Sequence, residues 1–179
     1  NLITLKLRNC NLEFIAEEFL DISYFGKLKY IDLSFNRIRE ISFIEKIYFP
    51  DSLKFVILSH NNISKDILFL EKLDTLDLSF NQINSFSSAF SFNNLIIHHN
   101  NLKSLDISGT KIYANDNNIE NFCYKPDEFS SELVNLNNNR IENMKFDCGR
   151  KLNELNKLIK YYYLSNNHLN KLKADDFSK

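Results

Sequence analysis

Apolar positions fall along this chain in one recurring frame. Leu28, Ile31 and Leu33 precede Asn36, and Ile38 follows it; Leu53, Val56 and Leu58 precede Asn61, with Ile63 after it; Leu73, Leu76 and Leu78 precede Asn81, with Ile83 after it. An Asn or Cys holds the fixed polar place at 10, 36, 61, 81, 100, 117, 139 and 167, so the frame is read eight times over nearly the whole chain. The apolar-x-apolar heart of each frame alternates, which predicts a short strand whose alternate residues turn inward. Strands recurring in this way pair side by side into one parallel sheet. The Asn then stands where the chain leaves the sheet, and its amide can satisfy backbone groups that the turn buries.

This frame, L-x-x-L-x-L-x-x-N/C-x-L, is the leucine-rich repeat. It predicts an α/β solenoid: a horseshoe with a concave parallel β-sheet and a mostly irregular, extended or short-helical convex side. Successive Asn places are 26, 25, 20, 19, 17, 22 and 28 residues apart. The short units between Asn81 and Asn117 leave the convex side little beyond an extended return. The unit reading Gly109, Ile112, Ala114, Asn117 and Ile119 puts two small residues at core places, which predicts irregularity or a change in curvature there. In the longest unit Leu152, Leu155, Leu158 and Ile159 have helical spacing, which predicts a helical turn. Phe19, Phe90 and Phe177 lie nine or ten residues past their polar places. They are expected to face inward from the convex side as a stacked spine. Cys10 takes an Asn place as a packed, unpaired thiol. Residues 1–179 read as one elongated domain, a fragment in which neither terminal repeat carries a visible polar cap.

Composition changes this picture little. Three Gly and two Pro leave few ordinary turn signals, because Asn does the turning. Twenty-two Lys and Arg against 23 Asp and Glu give a net charge of −1, which offers no basic field for nucleic acid. The Lys-rich stretch 145–173 reads as a solvated face. No membrane-length apolar run and no signal peptide occurs. Phosphate loops, nucleophile elbows and zinc-ligand motifs are also missing, so neither an enzyme nor a cofactor is expected. His98 and His99 adjoin at the concave edge, with His60 two repeats away. They read as contact residues rather than metal ligands, since neighbouring strand residues splay to opposite sides.

The residues that alternate with the core leucines define a binding face in two lanes. One runs Thr4, Tyr30, Phe55, Thr75, Asn94, Lys111, Leu133, Tyr161; the other Lys6, Asp32, Ile57, Asp77, Ile96, Tyr113, Asn135, Tyr163. Tyr30, Phe55, Ile57, Ile96, His98, Tyr113, Tyr161 and Tyr163 are the candidate partner-binding residues, since exposed aromatic anchors mark protein interfaces. β-propensity alone would also favour such residues in strands. Cys123 and Cys148 fall six and nine residues past neighbouring polar places, on one side of adjacent repeats. A bridge closing that loop and a pair of reduced thiols both fit this placement. Asn62-Ile63-Ser64 is an N-glycosylation sequon whose Asn is expected to face outward.

The segments NNLIIHHNNLKSLDIS and ANDNNIENFCYKPDEFSSELVNLNNNRIENMKFDCGR resemble the middle of the insect, mosquito-type leucine-rich immune proteins of the haemolymph. The resemblance implies a secreted horseshoe with a Cys123–Cys148 disulfide and a role in pathogen-directed complement. As partners it implies a complement-like thioester protein or a second leucine-rich-repeat chain. The cysteine-rich cap and coiled coil that serve dimerisation and partner capture in that family are not in this sequence. An intracellular scaffold or regulatory adaptor of the same fold remains open. So does a recognition domain attached to an enzyme.

Overall fold

The computed structural model describes residues 1–15, 25–41, 50–69, 72–124, 131–142 and 159–171. Eight parallel strands form one sheet: β1 (Thr4–Lys6), β2 (Tyr30–Asp32), β3 (Phe55–Ile57), β5 (Thr75–Asp77), β7 (Phe92–Ile96), β9 (Gly109–Tyr113), β11 (Leu133–Asn135) and β12 (Tyr161–Tyr163). Their spatial order follows the chain, one strand per repeat, as the leucine-rich-repeat solenoid requires. The convex side carries four short strands in two parallel pairs, β4 (Ile67–Phe69) with β6 (Phe86–Ser88) and β8 (Ser104–Ile107) with β10 (Asn121–Tyr124). β6 and β8 are the extended returns expected between Asn81 and Asn117, and β4 and β10 give the two flanking units the same form.

The second-to-last residue of each concave strand points into the core. Ile31, Val56, Leu76, Leu95, Ile112 and Val134 are buried, as are Leu33, Leu58, Leu78, Ile97, Ala114 and Leu136 two places on. The period of two along each strand turns these residues inward and their neighbours outward.

The Asn column closes the turns from one repeat to the next. Asn61 Oδ1 accepts the Ile38 N–H at 3.0 Å, while its Nδ2 donates to Leu33 O of the preceding repeat and Leu58 O of its own, both at 3.0 Å. Asn81, Asn100, Asn117, Asn139 and Asn167 repeat this arrangement. Asn36 bonds both Cys10 N–H and Leu12 N–H in the first repeat.

Three expectations need correction. Cys10 is a free cysteine, as expected, but it is exposed rather than packed. Phe90 is 43% exposed and joins no spine. In a repeat of only 19 residues, the ninth place past Asn81 already lies beyond the convex strand, and Phe86 and Phe92 take the core with ring centroids 6.3 Å apart. Phe19 and Phe177 lie outside the described residues, as do Leu152, Leu155 and Leu158 of the helical expectation.

The unit around Gly109 shows no break in the sheet, against the expected irregularity: β9 keeps register with β7 on one side and β11 on the other. A Cβ at Gly109 would stand 2.9 Å from the Phe92 carbonyl oxygen, so the small residue is what allows close strand approach. Ala114 is fully buried in the same repeat.

Candidate protein-binding face

Strand register places the candidate face residue by residue. Thr4, Tyr30, Phe55, Thr75, Asn94, Lys111, Leu133 and Tyr161 are successive partners across the sheet. Lys6, Asp32, Ile57, Asp77, Ile96, Tyr113, Asn135 and Tyr163 form the second lane. Phe55, Tyr161 and Tyr163 are 39%, 53% and 44% exposed, so large rings stand free on this face. Tyr30, Ile57, Ile96, His98 and Tyr113 are half-buried between neighbours. The structure therefore brings Tyr30, Phe55, Ile57, Ile96 and Tyr113 together over β2 to β9. Tyr161 and Tyr163 stand apart on β12, at the far edge of the sheet.

The electrostatics of the face are local. The Lys6 ammonium lies 5.3 Å from the centre of the Tyr30 ring, and Tyr30 and Phe55 stack obliquely at 6.1 Å. Burial raises the Tyr30 phenol above its ordinary range, and the charges of Asp32 and Asp77 add to this while Arg8 opposes it. Each of those two carboxylates also closes a turn. Ser34 N–H and hydroxyl donate to Asp32 Oδ1 at 3.0 and 2.6 Å, and Ser79 does the same for Asp77 at 2.9 and 2.7 Å. Lys111 pairs with Glu132 at 3.2 Å between β9 and β11.

Along the rim where the strands end runs a feature that the lanes do not predict. The residue just before each column Asn adopts a left-handed backbone: Asn9, Phe35, His60, Phe80, His99, Asp116, Asn138 and Asn166 all have φ between 53° and 57°. In all of them but Asn166 the N–H donates to a carbonyl of the next repeat, as in Phe35 N–H to Ser59 O at 3.0 Å and His60 N–H to Ser79 O at 3.0 Å. The left-handed conformation also stacks their side chains. Phe35 and His60 rings are 4.1 Å apart, His60 and Phe80 4.2 Å, and Phe80 and His99 4.2 Å, with interplanar angles of 20°, 10° and 21°. The Arg8 guanidinium covers Phe35 at 4.3 Å. At the other end His99 Nδ1 is 3.8 Å from Asp116 Oδ2, and Asn138 and Asn166 carry the ladder on. Aligning the residues that precede each Asn would have exposed four consecutive rings.

The same geometry corrects the reading of the histidines. His98 and His99 do not splay: their Nδ1 atoms meet at 2.9 Å, one donating and the other accepting. The left-handed φ of 54° at His99 swings its ring back over the rim. His60 is separated from His99 by the single ring of Phe80. Burial lowers the His98 pKa, His99 lowers it further, and Asp77 and Asp116 pull the other way. Burial pushes the Asp116 carboxyl up, but hydrogen bonds from Asn115 and Asn138 and the charges of His99 and His98 outweigh it and hold the group below its ordinary value. Among the described residues no set of three or more His, Cys, Asp or Glu is arranged to hold a metal. No helix among them is long and apolar enough to cross a membrane.

Asn62 is exposed while Ile63 beside it is buried. Cys123 on β10 is disulfide-bonded. Cys148 lies outside the described residues.

A solenoid with one parallel strand per repeat, an Asn ladder and an open concave face is a leucine-rich-repeat domain, a class of protein-binding modules. The family model for Zer-1-like leucine-rich repeats matches residues 20–147. The chain belongs to that family. A search of the curated proteins finds no match. Among solved structures, the chain is similar to the leucine-rich repeat domain of APL1B, a mosquito protein, at 19% identity and a TM-score of 0.54. The match covers 93% of this chain and 55% of that one, so this chain spans about half of the similar structure.

Proposed function

We propose that the chain is a non-catalytic, extracellular recognition module of invertebrate innate immunity, which captures a protein partner on its concave face. The observation that carries the binding role is the exposure of Phe55, Tyr161 and Tyr163 in lanes that the sheet holds rigid. Rings presented on a preformed surface bind with little ordering cost, and aromatic residues dominate interface energies. A complement-like thioester protein or a second leucine-rich-repeat chain is the partner class, in keeping with the sequence resemblance to mosquito-type immune proteins.

Two features support the extracellular reading. Cys123 is disulfide-bonded, which suits an oxidising compartment, and we assign its partner as Cys148. The Asn62 side chain is exposed within an Asn-x-Ser sequon, where it would accept a glycan.

A non-reducing peptide map of the native protein tests this reading. A Cys123–Cys148 peptide with Cys10 free, and a mass loss at Asn62 on glycosidase treatment, are the expected results. Three free thiols would overturn the extracellular assignment. In that event the second reading, an intracellular scaffold or adaptor, takes its place; it is favoured by membership of the Zer-1-like family, which is intracellular. The binding role has its own test: protein ligands of the domain should lose affinity for the variant Tyr161→Ala with Tyr163→Ala, while its circular dichroism stays unchanged.

A further inference from the structure

The rim ladder is expensive in residue choice. At its outer positions the left-handed place is filled by Asn9, Asn138 and Asn166, the residue type that tolerates this conformation best. At the four central positions the chain instead holds bulky rings in the same backbone state, and leaves Phe35 and Phe80 41% and 39% exposed. Neither the turn nor the repeat-to-repeat hydrogen bonds call for rings there, since Asn138 N–H makes the same bond, to Ser165 O at 2.9 Å. A disfavoured backbone state carrying exposed apolar side chains points to use of the surface.

Charge identifies what it is used for. Asp32 and Asp77 lie three residues before Phe35 and Phe80, on the adjoining lane. Their turn-closing role does not need a carboxylate, because Asn135 closes the equivalent turn with its amide oxygen, accepting Asn137 N–H at 3.1 Å. Among the described residues neither carboxylate has a Lys or Arg partner. Asp77 is half-buried and Asp32 8% exposed, and in such surroundings an opposite charge is attracted more strongly than in open water. At one end of the stack a cation already covers a ring, where the Arg8 guanidinium lies 4.3 Å from Phe35.

We propose that the ladder Phe35–His60–Phe80–His99, with Asp32 and Asp77 beside it, is the docking ridge for a protein segment that combines Lys or Arg with apolar side chains. The partner's apolar groups lie along the ring edges, and its cations reach the two carboxylates. This ridge deepens the recognition role proposed above and rests on it.

The test selects a random phage-displayed peptide library on the immobilised full chain, then measures the selected peptides against variants. Phe80→Asn installs the residue the column uses elsewhere. Asp77→Asn keeps an acceptor for Ser79 while removing the charge, and Glu120→Gln removes an exposed charge away from the ridge. The selected peptides should be richer in Lys and Arg than in Asp and Glu. They should lose affinity on the order of tenfold on Phe80→Asn, as for an interface anchor. Asp77→Asn should weaken them several-fold, and Glu120→Gln should leave them unchanged.

Acidic or uncharged peptides, or no selected peptide at all, would overturn the ridge. Peptides that ignore Phe80→Asn but fail on Tyr161→Ala with Tyr163→Ala would overturn it while keeping the concave-face role. Peptides indifferent to all of these changes would sink both. Asp77→Asn provides the reading if Phe80→Asn fails to fold.

Discussion

Replacing Asn81 with Ala measures what the Asn ladder contributes. Asn81 is 8% exposed in the middle of the stack. Its Oδ1 accepts Ile63 N–H at 3.1 Å, and its Nδ2 donates to Leu58 O and Leu78 O at 3.0 Å and to Ser79 O at 3.2 Å. Ile63 is fully buried, so water cannot readily replace the lost acceptor. An unsatisfied buried donor costs about 1–3 kcal/mol, and the weakened carbonyls add about 1 kcal/mol. The expected loss is thus about 2–4 kcal/mol, a large share of the roughly 5–15 kcal/mol that holds a domain folded.

Asn167→Ala provides the comparison. Asn167 makes the same set of bonds but is only half-buried, so water can substitute and the loss should be about 1 kcal/mol. Urea unfolding followed by far-ultraviolet circular dichroism gives both values from the midpoint and slope. Asn81→Asp should be worse than Asn81→Ala at neutral pH, because a carboxylate oxygen would face three carbonyls. The reasoning fails if Asn81→Ala lies within about 0.5 kcal/mol of the parent, the range of a bland surface change. It fails equally if Asn167→Ala costs as much.

Gly109→Ala should destabilise by about 1–3 kcal/mol in thermal unfolding, since the new Cβ meets the Phe92 backbone at 2.9 Å; an unchanged midpoint would show that β7 and β9 can separate freely. Asp116 has its folded pKa below the ordinary 3.8, so its contribution to stability is present above that value and is lost as pH falls through the folded pKa. Comparing acid unfolding of the parent and Asp116→Asn should show the parent's advantage fading below about pH 4, and a constant difference would refute the assignment. His98 has its folded pKa below the ordinary 6.5, so its neutral form supports the fold and that support is lost as pH falls through the folded value. Its imidazole proton resonance should titrate below 6.5 and move upward in His99→Asn; no movement would remove His99 as a cause.

The concave sheet was legible because two periodicities coincide: residues alternate along each strand, and the strand recurs at a fixed distance before its Asn. Both lanes, down to Thr4 opposite Tyr30 and Asn135 opposite Tyr163, followed from counting back from the Asn. The convex side was less legible because all the variation in repeat length falls there. Counting forward from Asn81 therefore placed Phe90 in a core that Phe86 and Phe92 fill.

The rim ladder escaped for another reason. Its eight positions hold Asn, Phe, His and Asp, which share neither polarity nor size. What they share is a backbone angle, and no hydropathy pattern reports one. The same angle explains the misjudged histidines, since a strand rule about neighbouring side chains stops applying at His99.

The Asn ladder has a consequence for how such a chain lengthens over generations. Each column Asn reaches back to close the turn of the repeat before it, so the self-sufficient unit of duplication runs from one Asn to the next. Copying such a unit in register adds a strand and a turn together and leaves no amide orphaned. An insertion between strand and Asn would strand both. A whole-repeat copy therefore leaves the ladder intact, and the spread of spacings from 17 to 28 residues lies on the convex arcs, away from the bonds that tie the repeats together.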